Sequence, residues 1–308
     1  MDTFPRNGLG TLNMPNNESG TEAVRCAIED AGYRMIDCAV HYNNHEAVGR
    51  AFHDVLTRGV VKREELWITT KLPNYRHKPE EVEAECRQNL KDLQLDYLDL
   101  YLVHWPISYD EPTSKQIATF PLNDYGAIAQ THVPFIDTWN EMEKLVEKGL
   151  VKHIGVCNMT IEMLERIRYE PRVKIQPYVN QVECHLYMQQ GPLVDYCTKR
   201  KMHITGFFLF GGDGHIPGPR LLEDPVLQEV AKEVGRPAGS VAIKFVLNLS
   251  PIMTVIVKSS SLAHQKSNLN TNFELTEDQM NRLRSRQRFR YANEVEAIYK
   301  SNIFSDAY

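Results

Sequence analysis

The chain has 308 residues, of which 42% are hydrophobic and 24% charged, an ordinary balance for a globular protein. A formal net charge of −5 argues against a general nucleic-acid binder but leaves room for a local basic pocket that holds a phosphorylated cofactor. No apolar run approaches the ~20 residues needed to span a bilayer, and Met1 to Arg6 has no apolar signal-peptide core, so a cytoplasmic protein is expected. The six cysteines, Cys26, Cys38, Cys86, Cys157, Cys184 and Cys197, are scattered without a Cys-x-x-Cys pair. Free thiols are expected, with neither a disulfide framework nor a zinc site.

Along the chain, short apolar runs alternate with amphipathic stretches. Strands are expected at Gly8 to Leu12, Arg34 to Asp37, Leu66 to Lys71 and Tyr97 to Val103, then at His153 to Val156, Tyr178 to Val182, Ile204 to Phe207 and Thr254 to Val257. Near-continuous apolar runs of this length suit a parallel sheet buried on both faces. Helices are expected at Glu22 to Asp30, at Glu46 to Leu56 with Asn44 as its cap, and at Pro79 to Leu93 and Pro134 to Lys148. Ile161 to Arg168, Gln190 to Lys199 and Asp224 to Val234 complete the set. Eight strand–helix steps predict a closed (β/α)₈ TIM barrel, one domain over residues 1–308. The competing arrangement, a doubly wound open sheet, would want Gly-x-Gly-x-x-Gly after the first strand, and Asn13 stands where the third glycine should be.

Barrel active sites form at the C-terminal ends of the strands. There the second strand ends in Asp37, with Tyr42 five residues on; the third ends in Lys71 and the fourth in His104. Taken singly, each has an ordinary structural explanation: a solvated lysine, a satisfied histidine, a loop-capping aspartate. Together they place four ionisable groups on one rim, where a Lys and an Asp leaving water are expected to pair. The chemistry is coherent. Asp37 holds Lys71 charged, the ammonium lowers the phenol pKa of Tyr42, and Tyr42 gives a proton to a carbonyl oxygen that His104 also hydrogen-bonds. That set performs carbonyl reduction without a metal. A hydrolase metal site built from His41, His45, His104 and His185 is the weaker alternative, because no carboxylate-rich ligand set accompanies those histidines.

These residues carry a resemblance. Asp37-Cys38-Ala39-Val40-His41-Tyr42-Asn43-Asn44 with Gly49 resembles the aldo-keto reductase signature Asp-Thr-Ala-x-x-Tyr-x-Asn. Ile68 to Leu72, Leu98 to Pro106, Gly155-Val156-Cys157-Asn158, Asn180 to Tyr187 and Val255 to Ser259 resemble later blocks of the same family, in order, from Gly8 to about Leu283. The aldose/aldehyde reductase branch is the most similar. The resemblance implies reduction of aldehydes, such as aldoses, to alcohols, with NADPH giving hydride and Tyr42 the proton, and with NADH tolerated. It also implies a monomer with a small-molecule carbonyl substrate and neither nucleic-acid nor membrane partner. Asn158 and Gln181 match the carboxamide-binding positions, with Cys157 beside the nicotinamide, and Phe207 matches its stacking aromatic. Lys258, Ser259 and Ser260 match the 2′-phosphate contacts, and Gly10 and Thr11 the first turn near the pyrophosphate. Gly211 to Gly218 matches the loop that closes over that pyrophosphate. Leu12 and Trp105 fall in the substrate pocket, and the tail from about 285 to 308 falls where the family shapes substrate choice.

The departures are specific. The N-terminus is short for the hairpin that usually plugs the barrel bottom, and Leu12 stands where a Trp is frequent. Phe208-Leu209-Phe210 replaces Ser-Pro-Leu. His264 replaces an Arg that clamps the 2′-phosphate, so NADPH is expected to be favoured less strongly than with Arg. The competing functional reading is a non-catalytic, partner-regulatory member of the same fold that binds cofactor; the intact quartet argues against it.

Overall fold

The computed structural model describes residues 4–111, 120–212, 216–294 and 296–304. In chain order the strands are β1 (Asn7–Gly10), β2 (Met35–Asp37), β3 (Trp67–Leu72), β4 (Leu98–Val103), β5 (Ser108–Tyr109), β6 (Gln130–Thr131), β7 (Val151–Cys157), β8 (Val179–Glu183), β9 (His203–Phe207) and β10 (Met253–Lys258). β5 and β6 form a small antiparallel ribbon. The other eight strands close into a parallel barrel in the order β1-β2-β3-β4-β7-β8-β9-β10, with β10 returning to β1. This is the expected (β/α)₈ barrel, and its closure rules out the open sheet.

The helices are α1 (Glu18–Cys26), α2 (His45–Thr57), α3 (Pro79–Leu93), α4 (Phe135–Glu147), α5 (Ile161–Tyr169), α6 (Gly191–Arg200), α7 (Pro225–Val234), α8 (Ala238–Leu247), α9 (Leu262–Leu269), α10 (Glu277–Arg284) and α11 (Glu296–Lys300). Three local expectations are corrected. α1 begins four residues earlier than its apolar period suggests, because the Asn17 side chain accepts from Ser19 N at 3.0 Å and starts the helix there. Asn44 does precede α2, but its side chain makes no cap bond. Its amide donates instead to Thr11 O at 2.8 Å and Met14 O at 3.0 Å, tying the first turn of the barrel mouth to α2. α8 was not expected: Val241, Ala242, Ile243, Phe245, Val246 and Leu247 are buried all round it, so it carries no amphipathic period to read.

The strands divide their side chains between two cores. Ile36, Ile68, Tyr101, Val103, Val156 and Val182 face the helices. Met35, Trp67, Leu100, Leu102, Cys157, Val179 and Ile256 fill the barrel interior with Phe4. Phe4 is part of this interior core. Its ring closes the barrel bottom edge-on to Trp67 (4.9 Å), Tyr178 (5.6 Å) and His203 (4.8 Å). Arg6 fastens the segment by donating to Leu247 O at 2.5 Å and Met253 O at 3.2 Å.

An aromatic floor at the end opposite the mouth makes a separable prediction. Phe4→Ala is expected to cost about 3 kcal/mol, the usual range for an emptied aromatic site, while kcat and cofactor affinity stay at wild-type values. Thermal unfolding beside steady-state kinetics checks it, and an unchanged Tm would mean that the floor bears no weight.

Candidate active site

The site follows from the two-residue period of the strands. Inward positions climb from Met35 to Asp37 on β2, from Trp67 through Thr69 to Lys71 on β3, and from Val179 to Gln181 on β8. An apolar residue at the bottom of each strand thus fixes a polar one at its top. Asp37 and Lys71 are both buried, with Lys71 Nζ 2.5 Å from Asp37 Oδ1. The same ammonium donates to Cys38 O at 2.8 Å and to the Tyr42 hydroxyl at 3.2 Å. All three lysine protons therefore have an acceptor. Asp37 Oδ2 accepts from Gln181 Nε2 at 2.8 Å, so both carboxylate oxygens are also held.

Tyr42 sits in a short helical turn, Val40–Tyr42, that Asn43 ends in the left-handed conformation (φ 52°). The turn swings the phenol back over β3, and its ring meets His104 edge-on at 6.1 Å. His104 follows β4, and its backbone carbonyl accepts from Asn158 Nδ2 at 3.1 Å. Asn158 is itself left-handed (φ 59°), just past β7. Thr11 donates to Asp37 O through its amide (3.1 Å) and hydroxyl (3.0 Å), linking β1 to the same centre.

The electrostatics are those of a dry pocket. Burial alone would depress the Lys71 ammonium, but Asp37 overrides it and holds the lysine above its usual range. Burial pushes the Tyr42 phenol up to about 12, with Lys71 pulling the other way. The expectation that the ammonium leaves Tyr42 with a lowered pKa is thus corrected in its net sign: the cost of a phenolate in this pocket, with Asp37 nearby, exceeds the help from Lys71. Tyr42 is a phenol, not a phenolate, and so keeps the proton it would donate. Burial, then Lys71, drives His104 well below the ordinary histidine value. His41, beside it at 5.3 Å, falls to about 4 for the same reasons. His45 and His77 fall to about 3, chiefly through burial.

The chain belongs to the aldo/keto reductase family. A model of that family (Aldo/keto reductase family) matches residues 7–288. Aldo-keto reductase family 1 member A1 of Gallus gallus is 37% identical over 290 residues, covering 92% of this chain and 85% of that protein. Estradiol 17 beta-dehydrogenase 5 of Mus musculus is 36% identical over 286 residues, 90% of this chain and 86% of its own length. Among solved structures, the aldose reductase of Giardia lamblia superposes with a TM-score of 0.89 at 36% identity, covering 99% of both chains. Enzymes of this family are NAD(P)H-dependent oxidoreductases, and this barrel is one of them.

For an aldo/keto reductase the remaining sequence-marked residues fall at the same mouth. Gly10 pairs in register with both Asp37 and Lys258. Phe207 ends β9 partly exposed, edge-on to Phe208 at 5.0 Å. Lys258 and Ser260 are exposed at the end of β10, and His264 is exposed in the first turn of α9. These three, with a helix N-terminus behind them, form a donor set whose chemistry fits a phosphate. The Ser259 hydroxyl is drawn into its own turn, accepting from Ser261 N at 3.2 Å. Cys157 is buried in the barrel interior, and burial pushes its thiol up, which disfavours the thiolate. Leu12 and Trp105 are partly exposed, and Trp105 lies 5.9 Å from Phe304 of the tail. The glycine-rich stretch Gly211 to Gly218 lies partly outside the described residues.

Sequence reasoning missed the tail clamp. Glu183, at the end of β8, accepts from Tyr291 N at 2.6 Å and Ala292 N at 2.9 Å, and its Oε1 lies 2.9 Å from His185 Nε2. Glu183 and His185 stand two apart at a strand end, the spacing of one sheet face; that signal was present, but no local pattern named their partner. Among the described residues, no group of three His, Cys, Asp or Glu is arranged to hold a metal.

The buried His45 and His77 tie stability to pH. Each titrates below its unfolded value of about 6.5, so the unfolded chain binds more protons as pH falls from there toward 4. Stability is greatest above pH 6.5 and declines below it, each such histidine adding up to about 1.4 kcal/mol per pH unit. Urea unfolding at pH 7, 6 and 5 should show this, with a shallower slope in His77→Gln. Equal slopes in the two proteins would contradict the neutral, buried assignment.

Proposed function

We propose that this enzyme reduces aldehydes, such as aldoses, to alcohols with NADPH, with Tyr42 as the general acid. The observation that carries the reading is one ammonium, Lys71 Nζ, hydrogen-bonded to both Asp37 and the Tyr42 hydroxyl in a buried pocket at the barrel mouth. Asn158 and Gln181 would hold the nicotinamide carboxamide, Phe207 would stack on its ring, and Gly10, Thr11, Lys258, Ser259, Ser260 and His264 would lie along the phosphates and ribose, with Cys157 beneath. A bound reduced nicotinamide supplies the hydride. Tyr42 donates its proton as negative charge develops on the carbonyl oxygen. Neutral His104 can donate a hydrogen bond to that same oxygen, which orients the carbonyl without competing as a strong acid. Leu12 and Trp105 would border the substrate, which Trp105 shares with Phe304 of the tail. Action as a cytoplasmic monomer belongs to the same proposal; none of the described helices is long and apolar enough to cross a membrane.

Tyr42→Phe is expected to lower kcat by on the order of 10²–10⁴, the usual worth of a positioned general acid, while NADPH affinity by fluorescence quenching stays near wild type. Retention of more than about a tenth of kcat would move the proton donor elsewhere, with His104 the leading candidate. Lys71→Met should be as severe for activity. It should also destabilise the fold by about 3–5 kcal/mol, because Asp37 is left as an unpaired buried charge.

The same reading fixes the cofactor preference. An imidazole at 264 lacks the planar, always-charged fork of arginine, so NADPH should be favoured over NADH only modestly. His264→Arg should widen the ratio of dissociation constants, and Lys258→Met should narrow it by weakening NADPH alone. Equal NADH and NADPH affinity in the wild type would remove the 2′-phosphate role from Lys258.

A further inference from the structure

Two histidines meet beside the proton donor. His41 lies in the same short turn as Tyr42. Its ring stands edge-on to that of His104, with centroids 5.3 Å apart and planes at 72°. His41 Nε2 lies 2.9 Å from the Tyr109 hydroxyl. Among the described residues, neither His41 Nδ1 nor His104 Nδ1 has a hydrogen-bond partner, and both atoms are shut off from solvent. They therefore do not face the open mouth. Tyr109 is itself buried at the end of β5, in one cluster with Ile298, Ile303 and Phe304 of the tail.

The chemistry of these atoms is complementary. Burial and the Lys71 charge keep both rings neutral. A neutral imidazole has one N–H and one bare nitrogen, and its hydrogen bonds decide which is which. A phenol is a stronger donor than an imidazole N–H, so Tyr109 donates to His41 Nε2 and leaves the His41 proton on Nδ1. His104, in the role given above, donates to the substrate oxygen through Nε2, so its Nδ1 is bare. The two buried, unbonded atoms are thus one donor and one acceptor on neighbouring rings. An unbonded buried polar atom is costly, and one shared hydrogen bond, direct or through a single water, satisfies both. We propose that His41 is a positioning residue that fixes the tautomer of His104. Tyr109 binds His41 Nε2, His41 Nδ1–H binds His104 Nδ1, and the His104 proton is held on Nε2, toward the carbonyl. The three bonds orient protons and transfer none. Their outer end rests on the tail through Tyr109, so the packing of Phe304 bears on a histidine of the site.

The inference rests on the carbonyl-reductase reading for what His104 does, but the tautomer is a property of the resting protein. It is read by NMR from isotope-labelled histidine ring nitrogens with NADP⁺ saturating, because protonated and bare nitrogens resonate far apart; the signals lost in His104→Gln are those of His104. His41→Leu removes the donor, and His41→Asn keeps an amide N–H near the Nδ1 position. Matched Tm and NADP⁺ affinity show that both are folded, and Tyr109→Phe, which removes one hydroxyl, serves if His41→Leu is not. The His104 proton is expected on Nε2 in the wild type and partly on Nδ1 in His41→Leu. In that variant kcat/KM for benzaldehyde should fall about tenfold, the weight of one hydrogen bond. His41→Asn should restore much of both, and Tyr109→Phe should shift His104 the same way by less. A wild-type His104 protonated on Nδ1, or His104 shifts unchanged in both His41→Leu and Tyr109→Phe, would overturn the proposal, whatever happens to activity. A moved tautomer at unchanged kcat/KM would leave the hydrogen bond standing and remove His104 from the carbonyl, which is a failure of the broader reading instead.

Discussion

The constraint on which the mouth of this barrel depends is the burial of Lys71 against Asp37. An ammonium and a carboxylate removed from water each lose several kcal/mol of solvation, and their attraction repays it only when every remaining lone pair and proton is also satisfied. Here that condition is met from several strands at once. β2 brings Asp37 and the Cys38 carbonyl, β3 brings Lys71, and β8 brings Gln181 to the second carboxylate oxygen. The third lysine proton is the one left for Tyr42. The hydrogen bond to Tyr42 is therefore the last place filled in a structural network drawn from several strands of the closed barrel.

The same dry environment sets the protonation state of everything around the pair. A positive charge already fixed at Lys71 and little water nearby make a second cation costly, so His41, His45 and His104 stay neutral. The same lack of water makes a phenolate costly, so Tyr42 holds its proton against the pull of Lys71. A phenol that is reluctant to ionise, beside a neutral imidazole, fits the proposed reaction, in which negative charge arises on the substrate oxygen rather than on the protein.

The sequence made the barrel and the quartet readable for a physical reason. Strand length, apolar continuity and the position of the first polar residue after each strand are local properties, and the closed topology turns four strand ends into one site. What was not readable is equally specific. α8 is buried all round, so no amphipathic period marks it. Asn44 looks like a cap and spends its amide on Thr11 and Met14, a choice made by tertiary geometry. The net direction of the Tyr42 shift depends on how much water the folded pocket excludes, which residue identities alone do not state.

The family model matches to residue 288, and the fold continues beyond it. Among the described residues from 285 to 304 none belongs to a barrel strand, so this segment is held by contacts with the loops it crosses. Two kinds of contact hold the described part of this segment. The Glu183 carboxylate, a fixed barrel position, accepts the amides of Tyr291 and Ala292 and needs nothing of their side chains. The Tyr291 ring then lies so close to Gly211 that a Cβ there would meet its hydroxyl at 2.6 Å, while that hydroxyl donates to Pro219 O. Beyond this point Ile298, Ile303 and Phe304 pack with Tyr109 and Ile128 of the β4–α4 connection. A backbone clamp thus sets where the tail crosses the mouth, and side chains set what it presents there. The amide contacts to Glu183 do not depend on which side chains the tail carries, so where it runs and what it presents are physically separable.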